Sequence, residues 1–131
     1  MKNKLINTFV ESRLKQVLIN DLDSYQVKDS NEAYNLQEIV NEKLSLSGLG
    51  EVIGYKIGCT NKSIQKELGV NCPIFGPIFK NKIINSNKTI YIKEFTKVGV
   101  ECEIYIKISK EVNENTNYNI NNIRNFIANY G

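Results

Sequence analysis

The run VGVECEIYIKIS, Val98 to Ser109, puts Val98, Val100, Cys102, Ile104, Ile106 and Ile108 at every second position, with Gly99, Glu101, Glu103, Tyr105, Lys107 and Ser109 between them. A strict period of two separates an apolar face from a polar one in an extended strand, and a strand requires hydrogen-bonded neighbours. The run therefore predicts a sheet, in a chain whose 131 residues amount to about one domain. It also raises a chemical question. Glu101 and Glu103 are poor strand formers, repel each other, and stand on the same polar face.

The rest of the chain divides by its periodicity. Leu5, Ile6, Phe9, Val10, Leu14, Val17 and Leu18 recur at helical spacing, so residues 5–19 predict an amphipathic helix. Asp29 followed by Glu32 is a capping box for a second helix, with Ala33, Leu36, Val40 and Leu44 as its buried stripe, and SLSGLG ends it. After Gly50 the character changes. EVIGYKIGC predicts a short strand, and Thr60 caps a short helix that Gly69 terminates. NCPIFGPIF holds both prolines and predicts an ordered loop, followed by strand pieces at Lys82 to Ile84 and Thr89 to Ile92. Ile120, Ile123, Ile127 and Tyr130 predict a last helix capped by Asn117 or Asn119. The expected class is α+β, with a helical section at residues 1–50 and a β-rich section at residues 51–131.

Composition removes several functions. Seventeen basic against 14 acidic residues leave a net charge of +3, too balanced for a nucleic-acid binder. Histidine is absent, which removes imidazole as a general base. Cys59, Cys72 and Cys102 form no Cys-x-x-Cys pair, so neither a zinc module nor a disulfide framework is indicated, and reduced thiols are expected. The first residues, MKNKLINTFVESR, have the lysines of a signal peptide but break its apolar stretch with Asn7 and Thr8. No run approaches the ~20 apolar residues of a membrane span, and the expected location is the cytoplasm.

Two positions carry candidate chemistry. Residues two apart on a strand point the same way, so Glu101 and Glu103 can close on one hard cation, Mg²⁺, Mn²⁺ or Ca²⁺. The same spacing also describes a solvated sheet face, with Lys107 further along it as a weak partner. In VIGYKIGC, alternation places Lys56 between Gly54 and Gly58 on one side of a strand. A lysine flanked by residues without side chains has room beside it for an anion, although an ordinary exposed lysine fits the same pattern.

GYKIGCTNKSIQKELGV, then PIFG, then VECEIYI, with AYNLQ upstream, resembles the 2-keto-4-pentenoate hydratase group of the fumarylacetoacetate hydrolase superfamily, which includes 4-oxalocrotonate decarboxylase. The resemblance covers residues from about Ala33 to Ile108. It implies a mixed β roll, of which this chain would supply the first strands, and an N-terminal portion of a homo-oligomeric, divalent-metal-dependent lyase. It further implies that Glu101 and Glu103 bind Mg²⁺ or Mn²⁺ with a third carboxylate from a later strand, and that Lys56 is catalytic. The implied substrates are 2-oxo or 2-hydroxydienoic acids from aromatic-compound catabolism. Where many members read PDFG, with an acid/base aspartate, this chain reads Pro73, Ile74, Phe75, Gly76. Ile74 transfers no proton, which leaves decarboxylase, hydrolase or isomerase chemistry open beside hydration. A non-catalytic truncated remnant or an interaction module is the alternative reading.

Overall fold

Asp29 starts the best-defined element, and it does so by local chemistry. Its carboxylate accepts the backbone N–H of Glu32 at 2.9 Å, while Glu32 reaches back to accept the N–H of Lys28 at 2.7 Å. The first bond satisfies an orphan donor at the helix start, as the capping box predicts, while the second reaches the N–H of the residue before the cap instead of the cap's own. The computed structural model of the protein describes residues 2–109, 111–113 and 115–131. They form two compact units, Met1–Lys97 and Val98–Gly131.

In the first unit, α1 (Lys2–Lys15) and α2 (Ser30–Leu44) precede β1 (Val52–Gly58), α3 (Lys62–Glu67) and β2 (Ile74–Phe79). α1 stops four residues before the end of the expected helix. Gln16 adopts φ 55, and the N–H of Val17 bonds the Ser12 carbonyl at 3.1 Å, a Schellman-type ending that leaves Val17 and Leu18 exposed. An ion pair from Lys2 to Glu32 and a bond from Lys43 Nζ to Asn7 Oδ1 link α1 to α2. On α2, Leu36 and Val40 are half-buried and Leu44 is buried, whereas Ala33 is exposed. Leu44, Leu49 and Phe79 form the core of this unit, with Val10, Val40 and Val52 packed against it. Gly48 at φ 103 makes the break after α2 that SLSGLG predicts.

The segment expected to be a loop is a strand. β2 pairs antiparallel with β1, joining Lys56 to Gly76, Ile57 to Phe75 and Gly58 to Ile74. Proline suppresses a ladder only where its missing N–H is needed, and in a two-stranded sheet every strand is an edge that tolerates Pro77. Asn61, rather than Thr60, caps α3, its side chain accepting the N–H of Ser63 at 2.7 Å. Gly69 at φ 68 closes α3 as expected, with Val70 N–H bonded to the Gln65 carbonyl and Gly69 N–H to that of Lys66. The strand pieces expected at Lys82 to Ile84 and Thr89 to Ile92 are single 3-10 turns and coil, because no described strand lies beside them to complete a ladder.

In the second unit, β3 (Ile106–Ile108) pairs antiparallel with β4 (Ile127–Tyr130). The long strand expected over Val98 to Ser109 is therefore cut to Ile106–Ile108, and residues 98–105 are coil. Tyr105 exchanges both backbone bonds with Gly131, at 2.9 and 3.2 Å. The expected final helix is replaced by turns, a 3-10 segment and β4. Asparagine side chains take the backbone there: Asn122 Oδ1 accepts the Asn119 N–H, Asn119 Oδ1 accepts the Asn121 N–H, and Asn122 Nδ2 donates to the Asn117 carbonyl. Such local bonds compete directly with helix formation. The architecture is α+β, helices followed by small antiparallel sheets. No helix among the described residues is long and apolar enough to cross a membrane.

Candidate functional site

Lys56 projects from the middle of β1, and the register of the hairpin decides what surrounds it. Gly54 and Gly58 flank it along the strand, Gly76 stands directly opposite, and Ile78 and Ile74 lie on the diagonals as partners of those two glycines. A methyl group built on Gly76 meets nothing within 4 Å. On Gly54 or Gly58 it would only touch Ile78 Cδ1 at 3.9 Å or Ile74 Cγ1 at 3.8 Å, ordinary contact distances. None of the three is among the glycines of positive φ, so neither backbone conformation nor packing excludes a side chain there. Their effect is to leave the sheet surface on the Lys56 side bare of side chains at three positions, between two isoleucines. Gly76 is the member that the sequence pattern alone does not reveal, because PIFG reads as a loop. The alternation of Ile74, Gly76 and Ile78 is the signal that would have found it.

The opposite face of the hairpin anchors it. Phe75 stacks on Tyr34 of α2 with ring centroids 4.3 Å apart and planes 8° from parallel, and Tyr55 meets Phe75 edge-on at 5.7 Å. The Tyr34 hydroxyl accepts the Phe75 N–H at 3.3 Å, and Gln37 Nε2 donates to the Phe75 carbonyl at 3.4 Å. At the far end of β1, Gln65 is the buried polar residue among those described. It donates to the Cys59 carbonyl at 2.7 Å and accepts from Lys62 Nζ at 2.9 Å, fixing the turn that follows KIG, where Cys59 has φ 55. Satisfied on both sides, Gln65 adds rigidity without an unpaired polar group.

Glu101 and Glu103 lie in the exposed coil that leads into β3. They belong to the second unit and Lys56 to the first. Two carboxylates one residue apart offer hard oxygens of the type that Mg²⁺ and Mn²⁺ take. Among the described residues no group of three or more His, Cys, Asp or Glu side chains comes together as a metal site. The pair fits part of a coordination shell, in which an ion would keep several waters.

No protein-family model matches the chain, and no solved structure matches it. Curated proteins do. A 2-keto-4-pentenoate hydratase of Burkholderia vietnamiensis is 31% identical over 84 residues, covering 64% of this chain and 32% of that protein. One of Paraburkholderia xenovorans is 30% identical over 90 residues, covering 69% of this chain and 33% of its own length. The TodF product hydratase of Pseudomonas putida is 29% identical over 84 residues, with 64% and 31% covered. The chain spans about a third of the length of the curated relatives it matches. Over about two thirds of its residues, this chain is similar to the 2-keto-4-pentenoate hydratases.

Proposed function

We propose that this chain is a portion of a hydratase-like lyase acting on 2-hydroxydienoic or 2-oxo acids, and that the Lys56 patch is its anion seat. The observation that carries the reading is the glycine floor around Lys56, in a chain similar to 2-keto-4-pentenoate hydratases over KIG and its surroundings. A compact ammonium holds a carboxylate as a point charge. The floor at Gly54, Gly58 and Gly76 admits a flat carbon chain, and Ile74 and Ile78 shield its sides from water. An isoleucine at position 74 thus serves as an apolar wall, and it moves no proton. Hydration therefore requires an acid or base outside Pro73 to Gly76.

Glu101 and Glu103 would hold a divalent cation, Mg²⁺ or Mn²⁺, completing its shell with water and with carboxylates from elsewhere. When bound, such an ion supplies Lewis acidity at the substrate's 2-oxygen. In the intact enzyme this portion would contribute the first strands of a fumarylacetoacetate-hydrolase-like roll, in a cytoplasmic homo-oligomer.

Calorimetric titration tests both seats separately. Mn²⁺ should release heat that disappears in the double substitution Glu101→Gln, Glu103→Gln. 2-Keto-4-pentenoate should bind with an affinity that falls about tenfold or more in Lys56→Met, and equally in Gly76→Val, which fills the floor and keeps the charge. Because Gly76 is unhindered, Gly76→Val should melt within a few degrees of the parent. Binding indifferent to both Lys56→Met and Gly76→Val would remove the anion seat.

A further inference from the structure

Phe75 is gripped more closely than its burial explains. It lies outside the Leu44, Leu49 and Phe79 core and is 45% exposed, yet three side chains hold it. Tyr34 stacks on its ring, Tyr55 meets the ring edge-on, the Tyr34 hydroxyl accepts its N–H, and Gln37 Nε2 donates to its carbonyl. Tyr34 and Gln37 stand three residues apart on α2 and therefore share one face of that helix. In an antiparallel ladder, residues alternate between pairs that exchange both backbone bonds and pairs whose backbone groups point away from the partner strand. Phe75 opposite Ile57 is of the second kind, since its N–H goes to α2. Side chains of α2 thus close the outer edge of β2 at this residue, where a third strand would otherwise do so. Both bonds are long, at 3.3 and 3.4 Å, so they fix orientation more than they add stability.

We propose that Tyr34 and Gln37 are positioning residues for the Lys56 patch, a role that rests on reading that patch as the anion seat. Phe75 stands between Ile74 and Gly76, which face the other side of the hairpin, with Gly76 opposite Lys56. The Phe75 N–H belongs to the peptide plane shared with Ile74, and its carbonyl to the plane shared with Gly76. Holding both planes fixes the direction in which Ile74 leans and the path by which Gly76 passes Lys56. Gly76 needs this hold more than its neighbours do, because it has no side chain to limit its rotation and β2 has only one strand beside it. Tyr34 and Gln37 lie on the far side from the substrate in this scheme and act on it only through Phe75.

Two conservative substitutions in the whole chain test the role. Tyr34→Phe keeps the stacked ring and removes the acceptor, and Gln37→Met keeps the volume and removes the donor. Calorimetric titration with 2-keto-4-pentenoate should give an affinity about fivefold lower in each, with melting temperatures close to that of the parent. The backbone amide resonances of Ile74 and Gly76 should shift in both variants, while those of Leu44 and Leu49 stay in place. Val10→Ala trims a residue packed on the core and serves as the control for a merely structural loss. Its melting temperature should fall and its affinity should not. A parent that binds no 2-keto-4-pentenoate overturns the anion seat, and the positioning role falls with it. A parent that binds, with Tyr34→Phe and Gln37→Met binding equally well, overturns the positioning role and leaves the seat standing. So does a loss of affinity that Val10→Ala reproduces.

Discussion

Gln16 shows how a single residue's conformation sets the extent of a helix. The apolar spacing of residues 5–19 continues past Lys15, yet the chain leaves the helix because Gln16 takes φ 55 and Val17 bonds back to Ser12. A side chain in the left-handed region is disfavoured by about 1 kcal/mol, so Gln16→Gly should stabilise the first unit by roughly that amount. Chemical denaturation checks it, and a variant no more stable than the parent would show that the ending is not held in this conformation in solution. Local signals of this kind are the part of the fold most readable from sequence. Asp29 with Glu32, and Gly69 after α3, act through atoms within four residues and appear as their pattern predicts. Thr60 failed as a cap by one position because Asn61 competes for the same role with a side chain that accepts the Ser63 N–H.

Strands depend on distant partners, and at the scale of elements the sequence is correspondingly harder to read. β1 was legible from EVIGYKIGC, whereas β2 was hidden by Pro77 and Gly76, which signal a turn unless an edge position makes them harmless. Val98 to Ser109 has the most strand-like pattern in the chain, but only the portion that meets β4 becomes a strand. The last helix was misread for the converse reason, since isoleucine spacing cannot reveal that asparagines will bond the backbone first. The surroundings of Lys56 inherit this unevenness: Gly54 and Gly58 are visible from one strand, and Gly76 only from the pairing. The open end of the β1–β2 hairpin is joined by Lys80 N–H to the Glu51 carbonyl at 3.0 Å, and by Lys80 Nζ to Glu51 Oε1 at 2.8 Å. The hydrogen bond from Lys80, then its charge, hold the Glu51 carboxyl below its ordinary range and raise Lys80. A carboxyl lowered by folding stabilises the fold above its unfolded value and ceases to do so as pH falls through its folded one. Thermal melts should therefore lose a small increment between about pH 5 and pH 3 that Glu51→Gln lacks. High salt should shrink the increment, because both side chains are exposed. An identical acid response in parent and variant would count against the pair.

For the whole molecule, what matters is how little of the apolar sequence is buried. Leu5, Ile6, Leu44, Leu49 and Phe79 are the buried hydrophobic residues among those described, and all lie in the first unit. Ile53, Tyr55, Ile57, Leu68, Ile92, Val100 and Ile104 are among the large apolar residues left near half-exposed or more. Since stability tracks buried apolar area at about 25 cal/mol per Å², the two units should not share one cooperative transition. The first has helices, a hairpin and the Leu44, Leu49 and Phe79 cluster, whereas the second is held mainly by the short β3–β4 ladder and the Tyr118–Phe126 edge contact at 5.2 Å. Hydrogen exchange should accordingly show amides of α2, β1 and β2 protected well above those of residues 98–131. Phe79→Ala should destabilise by about 3 kcal/mol or more, which erases protection in the first unit and leaves the Tyr105–Gly131 amides almost unchanged. Protection that rises and falls together across both units, in the parent and in Phe79→Ala, would mean that they fold as one body.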